Sequence, residues 1–217
     1  MTPFSEVTID CEQGSDEWRM ARLGLATASR FADVMATLKS GGEAATRRNY
    51  RTELVVERLT YKPTESFLSR PMQIGIEREP LARGEYEALM GCAVQEVGFV
   101  LHPEFECGAS PDGLIGLNGG IELKCPTVGV HFDYLKLPAG ECPSEYRWQV
   151  QGAMWLTGRL WWDFVSYCPE FPPELQLIRR RVLRDESAID KLEAGIKTFM
   201  QEVRADEAFA RGYVEPK

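Results

Sequence analysis

The sequence predicts an α/β layered domain, a central mixed β-sheet flanked by helices. Three observations carry this. Apolar residues recur at helical spacing through most of the first ninety positions. From residue 92 the period shortens towards two, with turn signals at Pro111-Asp112-Gly113 and Asn118-Gly119. Helical spacing returns at 144–158 and again from Asp185. With 44% hydrophobic and 27% charged residues, the 217-residue chain is expected to form one domain, residues 1–217.

Taken in order, "SDEWRMARL" is a short helix capped by Ser15 and ended by Gly24. "TASRFADVMATL" predicts a second helix, with Phe31, Val34, Met35 and Leu38 on one face. After the loop "KSGGEAA", a basic helix start leads into an apolar stripe of Tyr50, Leu54, Val55 and Leu59. Residues 71–90 are helical but carry Gly75, Pro80 and Gly84, which predicts a helix bent or started twice. "CAVQEVGFVL", "EFECGAS", "DGLIGL" and "GIELKC" predict antiparallel strands, and "SEYRWQVQGAMWLTG" a helix. "LWWDFVSYC" and "LQLIRRRVL" are two further strands before the C-terminal helix. Trp155, Trp161 and Trp162 are expected in the core rather than as stacking platforms.

The composition excludes some classes of function. Six scattered cysteines with no C-x-x-C pair argue against a zinc knuckle and for reduced thiols. Only His102 and His131 are available for histidine chemistry, and neither has an evident partner. The start, "MTPFSEVTIDCEQGSDEW", has no basic flank or apolar run, and "GAMWLTGRLWWDFV" is too short to span a membrane and is broken by Arg159. A cytoplasmic protein without a membrane is expected. The net charge of −8 does not settle nucleic-acid binding, because exposed charges fade over roughly 8–10 Å.

The chemistry concentrates in "SPDGLIGLNGGIELKCPT", residues 110–127. In a strand, Glu122 and Lys124 share a face and Leu123 takes the other. If Asn118-Gly119 folds that strand back, Asp112 and Glu122 meet. Two carboxylates and the Leu123 carbonyl then make an oxygen site suited to Mg²⁺. Lys124 on that face would polarise a water or hold a phosphate oxygen, at ~4 Å a contact of roughly 4 kcal/mol before desolvation. This is the residue set of metal-assisted phosphodiester hydrolysis. An acid-x-Lys triplet alone is weak, since about one is expected by chance and Glu215-Pro-Lys217 is another.

The run 110–127 resembles the central motif of the lambda exonuclease, or YqaJ-type, phage recombination nucleases of the PD-(D/E)-x-K superfamily. "QGSDEWRMARLGLATAS" (13–29), "GIEREPLAR" (75–83) and "WQVQGAMWLTG" (148–158) are similar to that family's other blocks, in order. The resemblance implies a restriction-endonuclease-like core in which Asp112, Glu122 and the Leu123 carbonyl bind the metal. It implies Lys124 as the residue that orients or activates water, Glu79 as an upstream acid near metal or water, and Gln149 as an active-site helix residue. Arg22, Ser29 and Ser110 would hold a terminal 5′-phosphate, and Arg47, Arg48 and Arg51 would grip DNA. It further implies Mg²⁺, with Mn²⁺ substituting, as cofactor of a 5′→3′ exonuclease acting on double-stranded DNA ends. The products would be 5′-mononucleotides and a 3′ overhang, the assembly a homotrimeric ring, and the partner a single-strand annealing protein.

On the residues alone other readings stay open. Glu79 and Gln149 also fit solvated helix positions, Arg22 and Ser29 an ion pair and a cap, and "TRRNYR" an ordinary basic face. An endonuclease or RecB-like nuclease of the same superfamily is the nearest alternative. A non-catalytic DNA-end-binding protein is the alternative from another class.

Overall fold

The computed structural model describes residues 7–64 and 69–213; the triplet Glu215–Lys217 lies outside them. The fold is α/β with mixed sheets flanked by helices, and the strands sort into two sheets of four. The first holds β1 (Val7–Ile9), β2 (Ala26–Thr27), β3 (Phe99–Leu101) and β4 (Cys107–Ala109), in the order β1-β3-β4-β2. The second holds β5 (Gly113–Ile115), β6 (Gly119–Lys124), β7 (Trp161–Tyr167) and β8 (Leu177–Leu183), in that order. Both are mixed: β2 runs parallel to β4 and β6 parallel to β7, and the other pairs are antiparallel.

The turn at Pro111-Asp112-Gly113 does not join two paired strands as expected. It carries the chain from β4 in one sheet to β5 in the other. Pro111 has no N–H to donate to a ladder, so pairing ends there. The turn at Asn118 does fold β6 back on β5, in the register Gly113↔Ile121.

The helices follow their sequence signals with two exceptions. Helix α1 (Asp16–Ala21) is capped by Ser15, whose side chain accepts the Trp18 N–H. The second expected helix shortens to a 3₁₀ turn, Ala28–Arg30, and a single α-helical turn, α2 (Phe31–Val34), because Ala26 and Thr27 are held in the sheet by β4. Phe31 and Val34 are buried but Leu38 is exposed. In α3 (Ala45–Thr60) the stripe faces inward, with Tyr50 stacked on Phe199 at 5.5 Å. The 71–90 segment is one helix, α4 (Arg70–Met90), not two. Pro80 withholds a donor from the Ile76 carbonyl, but both residues are exposed, so water can take that role.

Helix α5 (Val128–Leu135) follows β6 and carries the buried His131. Helix α6 (Arg147–Thr157) is buried from Val150 to Thr157 and lies between two apolar clusters. Its Gly152 lets the Phe31 ring approach to where a Cβ would sit. Helix α7 (Glu186–Arg211) is capped by Asp185 and packs on α3. Trp155 and Trp162 are core residues as expected, and Trp161 is covered by the Arg181 guanidinium at 3.6 Å.

Asp163, fully buried on β7, is a charged group of the second sheet's interior, as Glu122 is on β6. It accepts hydrogen bonds from Tyr86 Oη at 2.7 Å and from Arg181 Nε and Nη2, both at 2.9 Å. Burial pushes its pKa up, but the bonds from Arg181 and Tyr86 together outweigh this and hold it below the ordinary value of 3.8. A depressed carboxylate stabilises the fold above its unfolded pKa, and that stability is lost as pH falls through the folded value. Thermal melts as pH drops below about 4 should show a steeper loss for the wild type than for Asp163→Asn. The variant should already be less stable at neutral pH, by about 2 kcal/mol.

Candidate active site

The hairpin brings the expected acids together. Continuing the β5–β6 register one step from Gly113↔Ile121 places Asp112 opposite Glu122. Asp112 Oδ2 accepts the Leu123 N–H at 2.6 Å. In an extended strand the C=O of a residue leaves on the same side as its N–H, so the Leu123 carbonyl is turned towards the same edge. Lys124 Nζ contacts Glu122 Oε1 at 2.5 Å and lies 5.1 Å from the Tyr146 ring centroid. Gln149, on the first turns of α6, donates to the same Glu122 oxygen at 2.6 Å. That contact is the Gln149 position the sequence left open.

Helix α4 faces this cluster from above. Glu79, Arg83 and Tyr86 follow one another at helical spacing, and Tyr86 is tied to Asp163. Arg83 Nη2 donates to the Asp112 carbonyl at 3.4 Å, and its Nη1 pairs with Glu96. Sequence reasoning missed Arg83, because nothing local marks a contact with a turn 29 residues away.

The acids are held where ionisation is costly. Burial pushes Glu122 up to about 7, and the Asp112 and Glu79 charges add to this while Lys124 offsets part of it. Burial likewise raises Asp112, despite Lys124 and the Leu123 N–H. Glu79 is pushed up to about 7 by burial and then by Asp112. Burial works against the Lys124 charge, but Glu122 and Asp112 outweigh it and hold its pKa above the ordinary lysine value. Three acids facing one lysine and an arginine already shared with Glu96 leave the cluster short of positive charge.

No group of three Asp, Glu, His or Cys side chains is preformed as a metal cage among the described residues. Two carboxylates and one backbone carbonyl fit a cation that keeps several waters, which is the habit of Mg²⁺. Asp112 and Glu122 are the residues that would hold it, with the Leu123 carbonyl.

The other half of the site comes from the N-terminal block. Trp18 Nε1 donates to Ser110 Oγ at 2.7 Å, and Arg22 Nη1 to the same oxygen at 3.3 Å. The Arg22 guanidinium stacks on the Trp18 ring at 3.9 Å. Arg22 forms no salt bridge among the described residues, and burial depresses its pKa. Thr27 Oγ1 lies 3.4 Å from Ser29 Oγ. One cavity of about 230 Å³ is lined by Arg22, Ser29 and Ser110 and also by Asp112, Glu122, Lys124 and Gln149.

Arg47 and Arg51 do not join it. Both pair with Glu43 and Glu202, and Arg51 also with Asp206, along the α3–α7 seam. Arg48 is exposed on α3. Neither histidine lines the cavity: His131 is bonded to Ser166 and the Leu175 carbonyl, and His102 packs against the rings of Phe105 and Trp155. All six cysteines are free thiols.

A mixed sheet that carries one acid at a turn, a second on the adjoining strand and a lysine two residues on is the framework of the PD-(D/E)-x-K nuclease class. Within that class the chain belongs to the family of the YqaJ-like viral recombinase domain, whose profile matches residues 17–160. It is similar to the alkaline exonuclease LHK-Exo of Laribacter hongkongensis, with 41% identity over 91% of this chain and 96% of that one and a TM-score of 0.83. The same figures hold for LHK-Exo in complex with dAMP. A phage-related exonuclease from Haemophilus somnus 129PT shares the fold at 16% identity, covering 84% of this chain and 96% of that one with a TM-score of 0.65. No curated protein sequence matches significantly.

Carboxylates with raised pKa favour the folded state while protonated. Without metal, stability should therefore fall as pH rises from 4.5 towards about 7, as Glu79 and Glu122 ionise inside. Divalent cations bind the ionised acids, so Mg²⁺ or Mn²⁺ should raise the melting temperature more at pH 8 than at pH 5. Glu122→Gln should abolish the difference, as read by thermal shift.

Proposed function

We propose that the protein is a Mg²⁺-dependent 5′→3′ exonuclease that digests one strand of a linear DNA duplex to 5′-mononucleotides, leaving a 3′ overhang. The observation that carries this is the single cavity shared by the carboxylate–lysine cluster and the Arg22/Ser29/Ser110 group. Bound Mg²⁺, or Mn²⁺ in its place, would supply a water of lowered pKa and positive charge beside the scissile phosphate.

The chain's own residues supply the rest. Asp112 and Glu122, with the Leu123 carbonyl, hold the cation, and Glu79 is the upstream acid. Gln149 and Lys124 converge on one Glu122 oxygen, so one carboxylate orientation is imposed. Lys124 remains charged against burial and stabilises negative charge building on the phosphate. Arg22, with the hydroxyls of Ser29 and Ser110, takes the terminal 5′-phosphate, which fixes the phosphodiester presented to the acids. Because Ser110 Oγ already accepts two N–H groups, its own proton is free to donate to that phosphate.

The exonuclease named LHK-Exo and its complex with dAMP support both the reaction class and a mononucleotide product. Exposed Arg48 is the residue of the basic helix best placed for the duplex backbone, since Arg47 and Arg51 are engaged by acids. Residues 1–217 act as one nuclease domain, working as a homotrimeric ring and handing its overhang to a single-strand annealing protein; the ring and the partner rest on the family resemblance.

Linear duplexes labelled at either end, with and without a 5′-phosphate, test the reading against a closed circular duplex. Release should proceed from the 5′ end, faster with the phosphate, and leave the circle intact. Lys124→Ala should lower the rate by about two orders of magnitude or more. Arg22→Ala should erase the preference for 5′-phosphate while leaving slow, metal-dependent cleavage. Cutting of the circle would indicate an endonuclease, and no cleavage with any divalent metal a DNA-end-binding protein.

A further inference from the structure

The segment that crosses between the sheets, Ser110-Pro111-Asp112, supplies one residue to each half of the cavity. Its backbone has little ladder to hold it: β4 ends at Ala109, β5 begins at Gly113, and Pro111 has no N–H. Two side chains compensate. Arg83 donates to the Asp112 carbonyl from α4. From the N-terminal segment, Gln13 spends both amide protons at once, donating to the Pro111 carbonyl at 2.8 Å and to the Val97 carbonyl at 2.9 Å.

Gln13 reaches that position because of a close backbone approach. At Gly98 a Cβ would overlap the carbonyls of Ile9 and Cys11 and the amide nitrogen of Cys11. Only glycine lets the chain leading to Gln13 lie against the start of β3. Gln13 itself lines the cavity, though it is otherwise exposed. Among the described residues its two bonds tie the segment leading into β3 to the crossing segment.

We propose that Gln13 is a positioning residue that sets the spacing between the end-phosphate pocket and the metal-binding acids, by pinning the carbonyl of Pro111, the residue between Ser110 and Asp112. The inference rests on the reading of the cavity as a 5′-phosphate-anchored nuclease site. It makes Gln13 matter most when the terminal phosphate is anchored. A substrate held at Ser110 and cut beside Asp112 depends on their separation, whereas one without a terminal phosphate adjusts its own register.

The readout is the ratio of initial rates on 5′-phosphorylated and 5′-hydroxyl duplexes, measured on one preparation so that the fraction folded cancels. Gln13→Ala should lower this ratio about tenfold, since small misplacements of a bound substrate are costly. Gln13→Glu should do the same, because a carboxylate offers carbonyls nothing to accept. Gly98→Ala, which displaces the segment without touching Gln13, should lower the ratio in the same direction. A wild-type ratio in Gln13→Ala and Gln13→Glu, whatever their melting temperatures, would overturn the proposal and leave Gln13 a plain structural tie. If the wild type shows cleavage but no 5′-phosphate preference, the end-phosphate reading itself fails, a result distinct from an unchanged ratio in the variants.

Discussion

Two carboxylates share one lysine at the end of a sheet, one on strand β6 and one on the turn beside it, and much of the structure around them follows from that. Removing a carboxylate from water costs several kcal/mol unless partners replace the lost solvent. The partners here come from three directions: the Leu123 N–H to Asp112, and Lys124 and the Gln149 amide to Glu122. They do not suffice, since burial still leaves Glu122 and Glu79 up at about 7. The acids are thus costly to ionise in the bare protein, and a cation held there, as proposed, would offset that cost, the usual condition of a site built for function rather than for stability.

The glycines and aliphatic residues between the acids serve the same end. Strand β6 is buried along nearly its whole length: β5 and β7 pair with its edges and α4 packs against it. A strand covered on both faces must be apolar apart from what it presents. At Gly119 and Gly120 the rings of Trp161 and Trp162 occupy the space a Cβ would need. Large aromatic residues on β7 therefore require glycine on β6, and their burial fixes the strand that carries Glu122 and Lys124. Asp163 on the same β7 is neutralised from α4 and β8, which fastens α4 where Glu79 and Arg83 overlie the hairpin.

What was legible in the sequence was local. The cap at Ser15, the start of the last helix at Asp185, the fold-back at Asn118 and the meeting of Asp112 with Glu122 each depend on residues close in the chain, and each is present. Pro80 left open whether the helix bends or restarts, because a proline rule says what a helix loses, not whether exposed neighbours let water replace it; the helix does not restart. The division into two sheets was not visible, since Pro111 marks a break in pairing without saying where the next strand goes. Arg47 and Arg51 looked free because, besides the nearby Glu43, their acidic partners Glu202 and Asp206 lie about 150 residues away. Gln13 and Arg83 were missed for the same reason: side chain to backbone contacts across long separations leave no periodic trace.

An acidic chain of net charge −8 acting on a polyanion is less paradoxical once its charges are located. Many of the arginines that could advertise a basic surface are consumed in ion pairs, as on the α3–α7 seam and around Asp163. Arg22 is different. It is held by a tryptophan face and a serine oxygen, neither of which carries charge. A guanidinium so placed is short of an anion, just as Asp112 and Glu122 are short of a cation. The two deficits open on one cavity, joined through Ser110-Pro111-Asp112. Exposed charges of either sign act over roughly 8–10 Å in salt, so the acidic exterior does not cancel a contrast set up within one small cavity. On the proposed reading a DNA end would answer both deficits, its terminal phosphate meeting the arginine and its next phosphodiester lying beside the acids and the cation they would hold. On this reading the polarity of digestion is set by the order of the two deficits along a single short segment of chain.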